Sequence, residues 1–394
     1  MHNHYDFDKV IDRKNSDSIK WNFYEKDVLP MWVADMDFIS PEPVIHALRD
    51  RIAHGIFGYP LGISNPAEGT PELCETLVDR MASLYDWKIN PEDIIFLPGV
   101  VPGFNLACQA FAKPSQAVLF QTPVYPPILH VAETTGIQRQ EMELSRNPNG
   151  SYDVDWQVFE DNITSATKLF ILCNPHNPVG KVFTRNELFQ FAENCLGKRV
   201  IIISDEIHSD LIFSNHTHTP IASLDPEIAQ NTITLIAPSK TYNIAGLQFS
   251  LAIIQNPAMR KTINQAKGVL LHWVNALGIV AAQAAYKEGQ DWLDQVMKYI
   301  ENNRNFLYQY VQEYLPGIEM SPPEGTYLAW LDCRLAGITE NPHKFFLEKG
   351  KVAFNDGETF GSGGQGFVRL NFGCPRKLLN DGLERMRSAL LGYQ

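Results

Sequence analysis

Five short apolar, β-branched runs punctuate the middle of the chain: AVLFQ (117–121), KLFILC (168–173), RVIIIS (199–204), TITLIA (232–237) and SLAIIQ (250–255). Continuous runs without alternation suit strands covered on both faces. Between two of them lies TRNELFQFAENCLG (184–197), where Thr184 and Glu187 form a capping box and Gly197 marks a helix stop. Strands alternating with helices predict βαβ units and a mostly parallel sheet. The pattern then changes. From about 290 to 315, Trp292, Val296, Tyr299, Ile300, Asn303, Phe306, Leu307, Tyr310, Val311 and Tyr314 recur at three- and four-residue steps, which predicts one long amphipathic helix. PGIEMSPPEG (316–325) breaks it. Two strand-like runs, TYLAWLDC (326–333) and GFVRLNFG (366–373), and a closing helix over 376–391 predict a smaller α+β unit. The first ~45 residues show no sheet of their own and are expected to fold back onto that unit. No internal repeat is visible.

Length adds a division to this picture. At 394 residues the chain exceeds the usual size of one hydrophobic core. The expected boundaries are an N-terminal segment 1–48 packing with the small domain, a large domain 49–288 and a small C-terminal domain 289–394. A net charge of −12 argues against non-specific binding to nucleic acid or anionic membrane. The six cysteines are scattered, with no Cys-x-x-Cys pair or zinc spacing, and read as small core residues in reducing surroundings. His2, His4, His216 and His218 are not backed as metal ligands, and no metal is expected. The N-terminus carries no signal-peptide pattern. The apolar-leaning stretch 270–285 is broken by His272, Asn275 and Gln283 and is too short to span a bilayer. A cytoplasmic protein is the expectation.

Candidate chemistry sits at the ends of the runs. AVLFQ leads into Tyr125, KLFILC ends at Asn174, RVIIIS at Asp205 and TITLIA at Ser239 and Lys240. In open α/β sheets ligands bind outside the carboxyl ends of the strands. One ligand gives a ring, an amide, a carboxylate and an amine a common purpose: pyridoxal 5′-phosphate (PLP). Lys240 supplies the amine for its aldehyde, and Asp205 keeps its pyridine nitrogen protonated. Asn174 offers a donor to its phenolic oxygen and Tyr125 a stacking ring. PGVVPGFNLACQAF (98–111), a Gly-containing turn opening a helix, offers backbone amides to its phosphate.

These residues carry a resemblance. NPHNPVG (174–180), SDEIHSD (204–210) and SKTYNIAGLQ (239–248) resemble, in order and spacing, the core motifs of fold-type-I PLP enzymes related to aspartate aminotransferase, over nearly the whole chain. PMWVADMDF (30–38) and GTYLAWLDCR (325–334) resemble the cystathionine β-lyase-like C–S lyase branch. The resemblance implies the PLP-dependent transferase fold, with helices on both faces of a mostly parallel sheet plus a smaller α+β domain. It implies β-elimination from a sulfur amino acid, yielding pyruvate, ammonia and a thiol. Residue by residue, Lys240 matches the cofactor-bearing lysine and general base, Asp205 the pyridinium partner, Asn174 the phenolate-side amide and Tyr125 the stacking ring. Val100, Val101 and Ser239 match phosphate-binding positions, and Arg369 the arginine that grips the substrate carboxylate. Tyr59, in FGYP, matches a tyrosine that reaches the neighbouring subunit's phosphate, which implies a homodimer with shared active sites. Many aminotransferases have tyrosine and arginine where this chain has His208 and Gln248, and both differences fit the lyase branch.

For Trp32 and Asp35 two readings stay open, a substrate-pocket wall or an anchor for the N-terminal segment; His208 is a cofactor neighbour or a satisfied histidine behind the site. GSGGQG (361–366) is read as a flexible loop near Arg369. Two other functions are carried forward: an aminotransferase with the same PLP site, and a regulatory protein acting through protein contacts, as some relatives in this branch do. The preferred sulfur amino acid is not legible.

Overall fold

A seven-stranded sheet forms the centre of the structure, a computed structural model that describes residues 4–61, 69–271 and 273–393. His2 and His272 lie outside the described residues. The strands are β1 (Ile94–Leu97), β2 (Ala117–Thr122), β3 (Gln138–Glu143), β4 (Thr167–Cys173), β5 (Ile201–Asp205), β6 (Thr232–Ile236) and β7 (Ser250–Ile253). Their spatial order is β1-β7-β6-β5-β4-β2-β3. All neighbours are parallel except β7, which runs antiparallel to both β1 and β6. The fold is the mostly parallel α/β architecture that the alternation predicts.

The unbroken apolar runs have a direct cause. Along β4, Leu169 and Ile171 enter one core layer while Phe170 and Leu172 enter another, so both faces of the strand are dry. The first layer includes Phe104 and Leu106 of α3 (Val100–Phe111), and the second includes Leu188 and Phe191 of α4 (Arg185–Gly197). The α4 capping box is present, with Glu187 Oε2 accepting from the Thr184 amide at 2.8 Å. Gly197 is the last residue of this helix, and Lys198 caps it.

Three further helices precede α3 and α4 or follow the sheet: α1 (Glu42–Ala53), α2 (Pro71–Tyr85) and α5 (Pro257–Leu270). Helix α6 (Ala276–Glu288) leads into α7 (Gln290–Tyr314), the long amphipathic helix of the sequence pattern. It buries Trp292, Val296, Ile300, Leu307 and Val311, while Tyr314 stays exposed. A three-stranded antiparallel sheet follows, with strands β8 (Leu328–Asp332), β9 (Asn355–Asp356) and β10 (Phe367–Asn371) in the order β8-β10-β9. Helix α8 (Arg376–Tyr393) closes the chain. Leu29–Pro30 pair in parallel with Val352–Ala353, which ties the N-terminal segment to this smaller sheet's surroundings.

GSGGQG (361–366) is a loop of turns that leads into β10, as its composition predicts. The Gly364 amide donates to Gly361 O (3.1 Å) and the Phe367 amide to Gly364 O (3.2 Å). The turns fold back so closely that a Cβ on Gly357 would sit 2.3 Å from Gly364 O. Glycine here serves close approach. Among the described residues no helix is long and apolar enough to cross a membrane, and no metal-binding cluster of His, Cys, Asp or Glu occurs. All six cysteines are buried and none is in a disulfide.

Candidate active site

Four neighbouring parallel strands, β6, β5, β4 and β2, release Lys240, Asp205, Asn174 and Tyr125 at the same edge of the sheet. Adjacent parallel strands end side by side, so residues 115 positions apart in the chain become neighbours. A cleft with about 830 Å³ of atom-free space, open solvent at its mouth included, lies there. Lys240, Asp205, Tyr125, His208, Ser239, Val100 and Val101 all line it. Lys240 and Asp205 therefore face one cavity.

Lys240 lies in a single helical turn, Pro238–Thr241. Its Nζ donates to Ala34 O at 2.6 Å. Burial pulls its pKa down to about 8; Arg369 pushes the same way, against Asp35 and Asp205. Asp205 is 4% exposed and accepts the Ile207 amide at 3.2 Å. Burial drives its pKa up to about 7, and neighbouring Glu206 adds to the rise. A buried carboxyl this strained electrostatically is ready for a cationic partner.

Asn174 is fully buried. Its Oδ1 accepts the Phe183 amide at 3.2 Å, while Nδ2 has no partner among the described residues. An orphaned buried donor is costly unless a ligand completes it. Its motif is held by Gly180, which has a φ of +74° and would place a Cβ 2.4 Å from Pro323 Cβ. Helix α3 starts at Val100 after Gly99, and its first amides have no intrahelical acceptor. His208 is 3% exposed with Nδ1 unpaired, and burial depresses its pKa to about 3, with Lys240 and Arg369 acting in the same sense.

Arg369 is 4% exposed on β10. Its guanidinium donates to Asn177 Oδ1 (2.9 Å), Asn355 Oδ1 (2.6 Å) and Trp32 O (3.2 Å), all neutral oxygens, and Nε is unpaired. Burial lowers its pKa to about 10, with Tyr125 and Tyr327 opposing. A buried cation satisfied only by neutral acceptors suits an incoming carboxylate.

The N-terminal segment presents four successive main-chain carbonyls to this site. Trp32 O accepts Arg369, and Val33 O accepts Asn371 Nδ2 (2.6 Å). Ala34 O accepts Lys240 and Tyr327 Oη (2.9 Å), and Asp35 O accepts Asn371 Nδ2 (2.7 Å). The Asp35 carboxylate itself pairs with Arg13 (2.7 Å) and Lys20 (3.5 Å). Asp37 pairs with the same two cations, both at 2.6 Å. The Trp32 indole packs among Phe23 and Tyr24, away from the cleft lining. Both side chains thus anchor the segment, which offers the site its main-chain carbonyls, while the Asp35 charge also bears on Lys240.

Tyr59 is 81% exposed, stacks on Trp273 and does not line the cleft of its own chain. Sequence reasoning missed Asn177 and Asn355, the Arg369 acceptors. The second Asn-Pro of NPHNPVG was a usable signal for Asn177, whereas nothing around Asn355 distinguishes it.

The donors fit PLP. An amine and a carboxyl share one cavity, an amide NH₂ lacks an acceptor, and a helix start offers free amides for a phosphate. Gln248 also lines the cleft, and none of the described lining residues other than Lys240 is a lysine or arginine. Phosphate binding would therefore rest on neutral donors and the helix terminus.

Comparison with known proteins agrees with this geometry. The sequence profile of the family "Aminotransferase class I and II" matches residues 26–386. The cystathionine beta-lyase PatB of Bacillus subtilis is 41% identical over 98% of this chain and 99% of its own. Cystalysin from Treponema denticola, whose crystal structure contains pyridoxal 5′-phosphate, superposes with a TM-score of 0.94 at 33% identity, covering 99% of this chain and 100% of that one. The PLP-bound C–S lyase of Staphylococcus hominis gives a TM-score of 0.91 at 33% identity, with 98% of both chains covered. With a family match across most of its length and such relatives end to end, the chain belongs to the class I and II aminotransferase family, in the branch that holds the cystathionine beta-lyases.

Proposed function

We propose that this protein is a PLP-dependent carbon–sulfur lyase that eliminates a thiol from a sulfur amino acid, giving pyruvate and ammonia. The observation that carries the reading is the single cavity shared by Lys240 and Asp205, with Arg369 beside it lacking a carboxylate partner among the described residues. Bound there, PLP supplies an aldehyde for the substrate's amino group and a protonated ring that takes up the electron pair left by the α-proton, so that a β-thiolate can depart.

The chain's own residues do the rest. Arg369 holds the substrate carboxylate through its fork and fixes the α-carbon. Lys240 Nζ takes the α-proton, its burial having brought its pKa close to neutrality. Asp205 would keep the ring nitrogen protonated, and Asn174 Nδ2 would donate to the phenolic oxygen. Tyr125 would offer the ring a stacking partner, with His208 beside the same cleft. The amides of Val100 and Val101 and the Ser239 hydroxyl would hold the phosphate.

In the same reading the chain divides at 48 and 288, and works as a cytoplasmic homodimer. Phe57, Tyr59, Leu61 and Trp273 are exposed apolar residues, with Tyr59 stacked on Trp273, and suit a subunit contact in which Tyr59 reaches the partner's phosphate.

Purified protein reconstituted with PLP and given L-cystathionine without any 2-oxo acid is expected to release pyruvate and thiol continuously. One turnover followed by arrest, without pyruvate, would instead identify an aminotransferase. Arg369→Ala is expected to lower kcat/KM by roughly 10²-fold, mostly through KM, with Arg369→Lys recovering part of it. An unchanged kcat/KM would remove Arg369 from the site.

A further inference from the structure

Behind the cleft, a buried ion pair links the two parts of the chain that handle opposite ends of the cofactor. Thr241 follows Lys240 in the same helical turn and is 1% exposed. Its Oγ1 donates to Asp210 Oδ2 at 3.0 Å. Asp210 lies five residues beyond Asp205, and Arg80 of α2 donates to its Oδ1 at 2.5 Å. The Arg80 and Asp210 side chains are each only 10% exposed.

Neither connected segment is slack. On the aspartate side the Ser209 amide donates to Glu206 O (3.0 Å) and the Leu211 amide to His208 O (2.9 Å), so local turns brace the backbone between Asp205 and Asp210. On the lysine side the Tyr242 amide donates to Pro238 O (2.9 Å) and the Ile244 amide to Ser239 O (3.0 Å). A four-residue turn has too few internal bonds to fix a long lysine side chain unaided. A buried ion pair is weak evidence for stability, because desolvation offsets its Coulomb energy. Burial opposes the Arg80 charge, yet the Asp210 carboxylate, with Tyr242 and Tyr286, holds its pKa above the ordinary arginine value. Arg80 therefore stays charged against Asp210, whose Oδ2 accepts from Thr241.

We propose that the Arg80–Asp210–Thr241 chain is a strut that fixes the separation between Lys240 and Asp205, and that Asp210 and Thr241 are positioning residues for the proposed elimination. The proposal rests on the PLP assignment above. The strut keeps the amine and the carboxyl at the distance set by the cofactor ring, so that Lys240 Nζ meets the α-proton without searching. Its loss leaves substrate binding through Arg369 intact and slows the step that needs alignment.

Holoenzyme carrying Thr241→Val, which keeps the side-chain shape but lacks the donor, is the direct test. Thr241→Ser, which retains the hydroxyl, is the rescue control. Thr241→Val is expected to bind PLP, lose much of the visible circular dichroism of the bound cofactor, and lower kcat by roughly tenfold with KM within about threefold. Thr241→Ser is expected to keep both properties, and Asp210→Asn to follow the valine variant. If Thr241→Val retains wild-type dichroism and a kcat within about twofold, or if valine and serine fall alike, the strut is refuted. Should Asp210→Asn fail to fold, the Thr241 pair still decides. A wild-type chain that gains no visible absorbance with PLP would defeat the cofactor assignment itself, a result readily told apart from a failed strut.

Discussion

Lys240→Ala is expected to reduce pyruvate release from L-cystathionine by roughly 10³-fold or more, since it removes both the covalent anchor and the general base. The loss should not come from unfolding. Nζ has one protein partner, Ala34 O, which Tyr327 Oη still serves after truncation. The variant should also lack the visible absorbance that a covalent lysine–PLP adduct gives the wild type. Added methylamine, an amine free to enter the vacated space, should restore a small part of the rate. A variant that binds PLP and turns over within about tenfold of wild type would show that another group removes the proton.

Asp205→Asn should move stability and activity in opposite directions. Burial raises the Asp205 pKa from 3.8 to about 7. Between about pH 4 and 7 the folded chain thus keeps a proton that the unfolded chain gives up. Stability of the cofactor-free protein falls as pH rises through that window, and the full cost is present above it. At pH 8 the cost is on the order of 2–4 kcal/mol. Asparagine cannot ionise and removes it, so the cofactor-free variant should melt higher than wild type, with a larger gap at pH 8 than at pH 5. Turnover should fall by roughly 10²-fold or more, because the ring nitrogen loses the carboxylate that keeps it protonated. Melting curves of both cofactor-free proteins at the two pH values check the first half, since equal gaps would contradict it. The pyruvate assay checks the second.

What the sequence displayed followed from burial. KLFILC and RVIIIS stood out because both faces of β4 and β5 are covered, which favours apolar residues at successive positions such as 169–172 and 201–203. Edge strand β3, QRQEME, is largely open to solvent and so carries no such run. Strand β1 is fully buried but only four residues long, too short to separate from a helix fragment by pattern. Lys240, Asp205 and Asn174 were legible as polar groups that end apolar strands. The SDEIHSD motif was visible, but Asp210 within it gave no sign that its partners are Arg80 and Thr241, 130 and 31 positions away. Glycine-rich composition marked the loop at 361–366 but not the close approach of its Gly364 to Gly357, since an open loop and close packing favour the same residue. The acceptor groups of the N-terminal segment were invisible for a different reason: backbone oxygens are present at every position, so no residue type marks the ones that are used.

That last point bears on how the stretch from Trp32 to Asp35 tolerates change. Its hydrogen bonds to Arg369, Asn371 and Lys240 do not depend on which side chains the stretch carries. Substitutions at Val33 and Ala34 leave these bonds in place as long as the backbone path is kept, a path that the Trp32 and Asp35 side chains help to hold. Its length has no such freedom. Adding or removing one residue would slide every oxygen by one place and misalign the arginine and the lysine together, so this stretch acts as a ruler whose markings are spaced by the peptide unit.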